Sequence, residues 1–146
     1  ISLKSDYFDY FERIFFSYFY YILIIKNKRM NIRELTAKMD SIVAQGAIVD
    51  AVKQFFAQDA TTSDFGGLKT SNKNQMIEKM EGFAGAIAQV NGITHHHTIV
   101  DGNKSASEFT FDFSMKDGSH IYWHEIIRRI WNENGEVIQE EYFNAN

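Results

Sequence analysis

The stretch FFAQDATTSDFGG, residues 55–67, decides the fold because two different patterns meet in it. It begins as the end of an amphipathic helix, continues as a short extended run, and closes on the glycine pair Gly66-Gly67. The extended run ends on an acid, Asp64. Its carboxylate is either a general base at the mouth of a pocket or a polar residue that closes a turn.

Helical periodicity flanks this stretch on both sides. Before it, apolar spacing predicts one helix that ends near Gly46 and a second that runs into Phe55 and Phe56. After it, Ser71 or Asn72 can cap a third helix, which Asn91-Gly92 is expected to stop. The apolar stripes of the three helices are predicted to be core: Ile32, Leu35, Met39, Ile42 and Val43, then Ile48 and Val52, then Met76, Met80, Phe83, Ala84 and Ile87.

Beyond Gly92 the pattern changes to strands separated by turns. Asp101-Gly102, Asp117-Gly118 and Asn134-Gly135 are strong hairpin signals, because these residues adopt positive φ at low cost. Strands linked in this way form an antiparallel meander, and helices that precede a sheet predict an α+β fold. The predicted strands are ITHHHTIV (93–100), SASEFTFDFSM (105–115), HIYWHEIIRRIW (120–131) and EVIQEEYF (136–143).

Composition limits the class of protein. The 146 residues are 45% hydrophobic and 23% charged, which suits one soluble domain with a hydrophobic core. The sequence has no cysteine, so disulfides, thiolate metal sites and cysteine nucleophiles are excluded. It also lacks GxGxxG, GxxxxGK[ST] and GxSxG motifs, and no cofactor is expected. A net charge of −4 with scattered basic residues argues against a nucleic-acid partner.

Residues 1–29 differ from the rest of the chain. They hold ten of the 22 aromatic residues and a charge of +2, which leaves −6 on the other 117 residues. Because MNIRELTAKMD at Met30 looks like a natural start, we expect 1–29 to lie outside the fold and 30–146 to form the domain. The apolar run 14–25 is 12 residues long, short of the roughly 20 that span a bilayer, and no cleavage site follows it. A cytoplasmic protein is expected, with peripheral membrane contact through 1–29 as the less favoured alternative.

The order of these elements resembles the nuclear-transport-factor-2-like superfamily, in its SnoaL-like and ketosteroid-isomerase-like branches. The residues that carry the likeness are F-A-x-D-A-T-x-x-D at 56–64 and NGEVIQEEYF at 134–143, and the likeness covers 30–146. It implies a cone-shaped α+β barrel, in which three helices pack on a curved, mostly antiparallel sheet around an apolar pocket. It also implies a homodimer through the sheet. Members include isomerases and cyclases beside non-catalytic domains, so the resemblance leaves the function open.

Asp64 matches the position at which ketosteroid isomerases place their general base. Those enzymes also use an oxyanion hole made of a tyrosine and a protonated carboxylic acid. Here Met39 or Asp40 stands where the tyrosine is expected, and Ile127 stands near the place of the acid. Ketosteroid isomerase activity itself is therefore not expected, and a structural role for Asp64 remains the alternative.

The predicted strand 120–131 is expected to line the pocket. If Ile127 faces inward, Trp123, Glu125 and Arg129 do so too, because alternate residues of a strand share a face. Glu125 and Arg129 then either orient a polar ligand or pair with each other in the pocket wall or dimer interface. The expected ligand-binding residues are Phe56, Trp123, Glu125, Ile127, Arg129 and Tyr142.

The HHH run in the first predicted strand has three interpretations. In a regular strand His95 and His97 share one face and His96 points away. Zinc would need three or four ligands, with His120 and His124 as further donors, and no HExxH spacing supports it, so no metal is expected. The second interpretation is an acid/base histidine in the pocket, His97 or His96 depending on parity. The third is partly buried sheet histidines.

The sequence therefore predicts a protein with a small-molecule pocket. The leading hypothesis is a SnoaL-like isomerase, cyclase or lyase that acts on a small apolar, polyketide-like or steroid-like substrate through Asp64 and His97. The alternative is a non-catalytic ligand-binding or dimeric association domain. An open cavity that contains Asp64 would favour the first hypothesis, and a cavity filled by side chains would favour the second.

Overall fold

A computed structural model of the chain describes residues 12–22, 31–65 and 67–146. Contacts divide the chain into two units, Ile1–Met30 and Asn31–Asn146. The predicted start at Met30, the glycine Gly66 and stretches 1–11 and 23–30 of the extension lie outside the described residues.

In the first unit, residues 12–22 form helix α1. Its large apolar side chains are exposed, and the ring of Phe15 stacks on that of Phe19 with 6.2 Å between centroids. No helix in the described part of the chain has the length and apolar character needed to cross a membrane.

The second unit begins with the helices that the periodicity predicts. Helix α2 runs over Ile32–Ala44, α3 over Ile48–Phe55 and α4 over Lys73–Ala86. The predicted cap of α4 is confirmed at Asn72, whose side-chain oxygen accepts the backbone N–H of Gln75 at 2.9 Å.

The predicted end of α4 at Asn91-Gly92 is wrong. The helix ends at Ala86, and Ile87 already pairs with Met115 as the first residue of a long strand. Gly82 and Gly85 weaken the last turns of the helix, so sheet pairing outweighs the helical periodicity there. Ala84, predicted as core, is exposed although it lies within the helix.

Six strands form one open sheet in the order β2-β1-β6-β5-β4-β3. All neighbouring pairs are antiparallel except β1 with β6, which confirms the mostly antiparallel α+β fold. The strands are β1 Phe56–Asp64, β2 Lys69–Thr70, β3 Ile87–Asp101, β4 Lys104–Met115, β5 His120–Trp131 and β6 Val137–Asn144.

The predicted hairpin turns are confirmed. Gly102, Gly118 and Gly135 have φ of 58°, 86° and 74°, which side chains with a Cβ rarely adopt. Register shifts interrupt β3 at three places, and such bulges bend a strand and increase its twist. The sheet therefore curves around the helices as an open cone.

The core lies between the helices and the inner face of the sheet. Phe109, Phe111 and Phe113 of β4 point inward, as their alternation with polar residues predicts. The helices contribute buried apolar residues such as Met39, Val52, Phe55 and Met76. Trp131 is fully buried and meets Phe55 edge-on at 6.2 Å.

Candidate functional site

A cavity of about 550 Å³ lies between α2–α4 and the inner face of the sheet. Its walls are mainly apolar, and the ring of Trp123 stacks on that of Phe83 with 5.4 Å between centroids. Trp123 is 41% exposed, so the cavity is open and its aromatic wall is accessible. The apolar wall includes Met39, Val43, Ile48, Val52, Met80, Phe83, Phe111, Phe113, Trp123 and Ile127.

Asp64 is the last residue of β1 and lines this cavity. Its Oδ1 lies 2.6 Å from Nζ of Lys79, which α4 carries across the cavity. Lys79 Nζ also lies 5.5 Å from the ring centroid of Tyr142, at cation–π distance. The side chains of Asp64 and Lys79 are partly exposed, at 37% and 17%, so a ligand in the cavity can contact them.

Glu125 of β5 lines the same cavity and has a different electrostatic environment. The pKa of its carboxyl is raised from 4.5 to about 7. Burial is the largest cause, the negative charges of Asp64 and Glu140 add to it, and the positive charge of Lys79 opposes them. Within the described residues, no hydrogen bond contributes to this shift. Glu125 is thus about half protonated near neutral pH and free to bond a ligand.

Beneath the cavity, Arg129 is fully buried between two carboxylates. Its Nη1 donates to Asp40 Oδ1 at 2.7 Å and its Nε donates to Glu140 Oε2 at 2.6 Å. Burial disfavours the charge of Arg129, but the two carboxylates outweigh this effect and raise its pKa. Of the two alternatives for Glu125 and Arg129, their pairing with each other is not formed. Arg129 binds Asp40 and Glu140, and Glu125 lines the cavity.

Further hydrogen bonds to Asp40 and Glu140 extend this buried group. Ser107 Oγ donates to Asp40 Oδ2 at 2.6 Å, and the hydroxyl of Tyr142 donates to Glu140 Oε1. Burial, together with the charge of Glu140, raises the pKa of Tyr142 well above 10. The Tyr142 hydroxyl is thus a neutral donor already committed to Glu140, whereas its ring lines the cavity.

Phe56 and His97, two other residues singled out by sequence, lie away from the cavity. Phe56 is 2% exposed and packs in the hydrophobic core at the start of β1. A register shift between His95 and His97 places His97 opposite Glu108 on the outer face of the sheet, where it is 66% exposed. The expectation that His95 and His97 share a face is therefore wrong, because the extra residue of a bulge resets the alternation.

Lys79 and Glu140 are residues that sequence reasoning did not select. Glu140 has the same strand parity as Tyr142, so the inward pattern of β6 could have identified it. Lys79 lies next to Met80 on an amphipathic helix, where a lysine ordinarily faces water. Only its distance to Asp64 distinguishes it.

No protein-family model and no curated protein match the chain. Solved structures do. A candidate SnoaL-like polyketide cyclase from Mesorhizobium loti superposes with a TM-score of 0.70 at 21% identity, over 78% of this chain and 99% of that one. A ketosteroid-isomerase-like protein from Catenulispora acidiphila, in complex with trimethylamine, gives 0.62 at 14% identity over 81% and 88%. A nuclear-transport-factor-2-like protein of unknown function from Burkholderia pseudomallei gives 0.66 at 12% identity over 79% and 91%.

The chain therefore has the nuclear-transport-factor-2-like fold, as the resemblance in its sequence implies. At these identities the similarity establishes the fold alone, and any function must be argued from the cavity.

Proposed function

We propose that the cavity binds a small, largely apolar carbonyl compound of polyketide-like or steroid-like character and catalyses a proton transfer on it, as an isomerase, cyclase or lyase does. The observation that carries this proposal is that Asp64 and Glu125 face one apolar cavity from two different strands, in opposite electrostatic settings. Pairs of carboxyl groups whose environments separate their protonation states are characteristic of acid/base sites.

In this proposal Asp64 is the base. Its Oδ1 lies 2.6 Å from Lys79 Nζ, which orients the carboxylate at the cavity. The carboxylate removes a proton from the carbon next to the substrate carbonyl and returns it to another carbon of the same molecule, so no external acid is consumed.

Glu125 is the hydrogen-bond donor. In its protonated form, which is substantial near pH 7, it donates to the carbonyl oxygen on which negative charge develops. A protonated carboxylic acid is one component of the oxyanion hole of ketosteroid isomerases. The acid missing at Ile127 is thus supplied two residues earlier on the same face of β5.

The apolar wall indicates the shape of the ligand. Phe83 and Trp123 form a stacked pair at the cavity, which favours a flat, unsaturated ring system. The charged groups Asp64, Lys79 and Glu125 place the polar end of such a ligand near the end of β1.

The test is a thermal-shift screen of ring-containing ketones and quinones, followed by NMR of each stabilising compound in D₂O. We expect the wild type to be stabilised and to exchange the proton next to the carbonyl for deuterium. Asp64→Asn is expected to retain the stabilisation and lose the exchange, whereas Glu133→Gln, an exposed control, retains both. Stabilisation without exchange in the wild type would contradict catalysis and favour the non-catalytic ligand-binding domain.

We also propose a homodimer through the outer face of the sheet. Ile126 is exposed there at 37%, together with Tyr122 at 61% and Phe143 at 38%, which also line the cavity. Exposed apolar groups of this kind favour an interface. Sedimentation should give a dimer for the wild type and a monomer for Ile126→Lys. A monomeric wild type at all concentrations would contradict the proposal.

A further inference from the structure

The outer face of the sheet carries a cluster of histidines around one glutamate. His96 of β3, Glu108 of β4 and His124 of β5 present one potential ligand atom each, and these atoms all lie within 4.8 Å of one another. Three adjacent strands therefore bring together two imidazoles and a carboxylate, far from Asp64 in sequence. His124 also lies among the residues that line the cavity, whereas His96 and Glu108 do not.

Sheet geometry explains the convergence. Glu108 and Thr110 share the outer face of β4, and His124 lies directly opposite Thr110 on β5. The bulge in β3 places both His96 and His97 beside these residues: His96 Nε2 is 2.8 Å from Thr110 Oγ1, and His97 Nε2 is 3.2 Å from Glu108 Oε2. A regular strand would have turned one of them to the inner face.

We propose that His96, Glu108 and His124 bind a Zn²⁺ ion on the outer face of the sheet, with His97 holding the second oxygen of Glu108. Imidazole nitrogen and carboxylate oxygen are ligands that Zn²⁺ prefers, at bonds near 2.0–2.2 Å. A tetrahedral site of that size needs ligand atoms roughly 3.3 Å apart. The three ligand atoms now lie within 4.8 Å of one another, so the proposal requires side-chain rotations that bring them to this spacing.

The surroundings of the cluster match those of a metal site. His124 Nδ1 lies 3.3 Å from Asn146 Oδ1, which leaves Nε2 directed at Glu108 Oε1, 2.6 Å away. A hydrogen-bond partner on the second ring nitrogen is the usual way in which a ligating histidine is oriented. Three protein ligands leave the fourth position to water.

The same face offers a matched control. His120 Nε2 lies 2.7 Å from Asp112 Oδ1, so it is also a histidine–carboxylate pair on the outer face, and it lies outside the three-residue cluster. His120→Ala therefore removes an outer-face imidazole without removing a proposed ligand.

The experiment is calorimetric titration of tag-free, chelator-treated protein with ZnCl₂, with Co²⁺ absorption as a report on coordination. We expect one Zn²⁺ per chain, a rise in Tm, and a tetrahedral Co²⁺ spectrum. His96→Ala and His124→Ala should weaken binding by roughly 100-fold or more. His120→Ala should leave it unchanged.

Wild-type affinity no higher than that of the His96→Ala/His124→Ala double variant would overturn the proposal, and so would an equal loss in His120→Ala. Circular dichroism of each variant verifies that it is folded. Glu108→Gln, which keeps the side-chain shape, provides a second test of the carboxylate ligand. His96 and Glu108 lie outside the cavity lining, whereas His124 is part of it. The His96→Ala and Glu108→Gln results therefore separate zinc binding from the proposed activity.

Discussion

Arg129 Nη1 lies 2.7 Å from Asp40 Oδ1, although 89 positions separate the two residues in the chain. The contact joins helix α2 to strand β5 below the cavity, and Glu140 Oε2 completes it from β6. Both carboxylates and the guanidinium are almost wholly inaccessible to solvent. Met39 and Asp40 are the two residues at which the resemblance would place a tyrosine, and Asp40 is the one that contributes to this buried group.

Arg129→Met should therefore be strongly destabilising. It leaves Asp40 and Glu140 buried without their shared cation, a situation that costs about 3–5 kcal/mol. Arg128→Met is the matched control, because Arg128 faces the other side of the sheet and pairs with Glu141 at a partly exposed site. It should cost less than about 1 kcal/mol in urea unfolding. Equal losses in the two variants would contradict the structural role of the buried group.

Glu125 should make the protein less stable as the pH rises. Its pKa is about 7 in the folded chain against 4.5 for the unfolded chain, so the folded state binds more protons between these values. The free energy of unfolding therefore falls from pH 4.5 to pH 7 and stays low above it. Each pKa unit corresponds to about 1.4 kcal/mol, and after a discount for partial exposure we expect an effect of about 2 kcal/mol.

Glu125→Gln should remove this penalty. Urea unfolding at pH 8 should show the variant more stable than the wild type, and at pH 4 the two should be similar. Glu133→Gln, at an exposed position, should follow the wild type at both pH values. A constant difference between Glu125→Gln and the wild type across pH would mean that Glu125 does not titrate with a raised pKa.

The charges around Glu125 should move its titration in opposite directions. The negative charge of Asp64 raises the pKa of Glu125 and the positive charge of Lys79 lowers it. Asp64→Asn should therefore lower the pKa of Glu125, and Lys79→Met should raise it, both followed by ¹³C NMR of the carboxyl carbon. Burial is the largest cause of the shift, so the pKa should stay above 4.5 in both variants. Shifts of the same sign would be inconsistent with the cavity geometry.

The two tryptophans should report separately on the cavity and the core. Trp123 is 41% exposed at the cavity wall, whereas Trp131 is fully buried. Acrylamide should quench the fluorescence of Trp131→Phe, which retains Trp123, and should hardly affect that of Trp123→Phe. Quenching of Trp123 as weak as that of Trp131 would show that the cavity is closed to small solutes, and it would remove the basis for a ligand site.

Much of the fold could be predicted because its signals are local. The cap at Asn72, the glycines at positive φ in the three hairpins, and the Phe109–Phe113 alternation each depend on a few neighbouring residues. The end of α4 was predicted wrongly because Ile87 and the residues after it pair with β4, and such pairing is a long-range interaction.

The candidate site was predicted only in part, for a related reason. Strand parity was sufficient to turn Trp123, Glu125, Ile127 and Arg129 toward the interior. The alternation of faces along β3 did not predict where the histidines point, because one bulge reverses the alternation. No residue type in the sequence identifies that bulge.

The sequence by itself determined the architecture, an α+β meander with an acid at the end of β1, because local turns and periodicity specify it. Only the tertiary structure decided which charged groups form pairs. Asp64 pairs with Lys79, and Arg129 pairs with Asp40 and Glu140 and not with Glu125. Such pairings depend on distances between side chains from different elements, and the Coulomb energy that selects them acts only once the elements are packed.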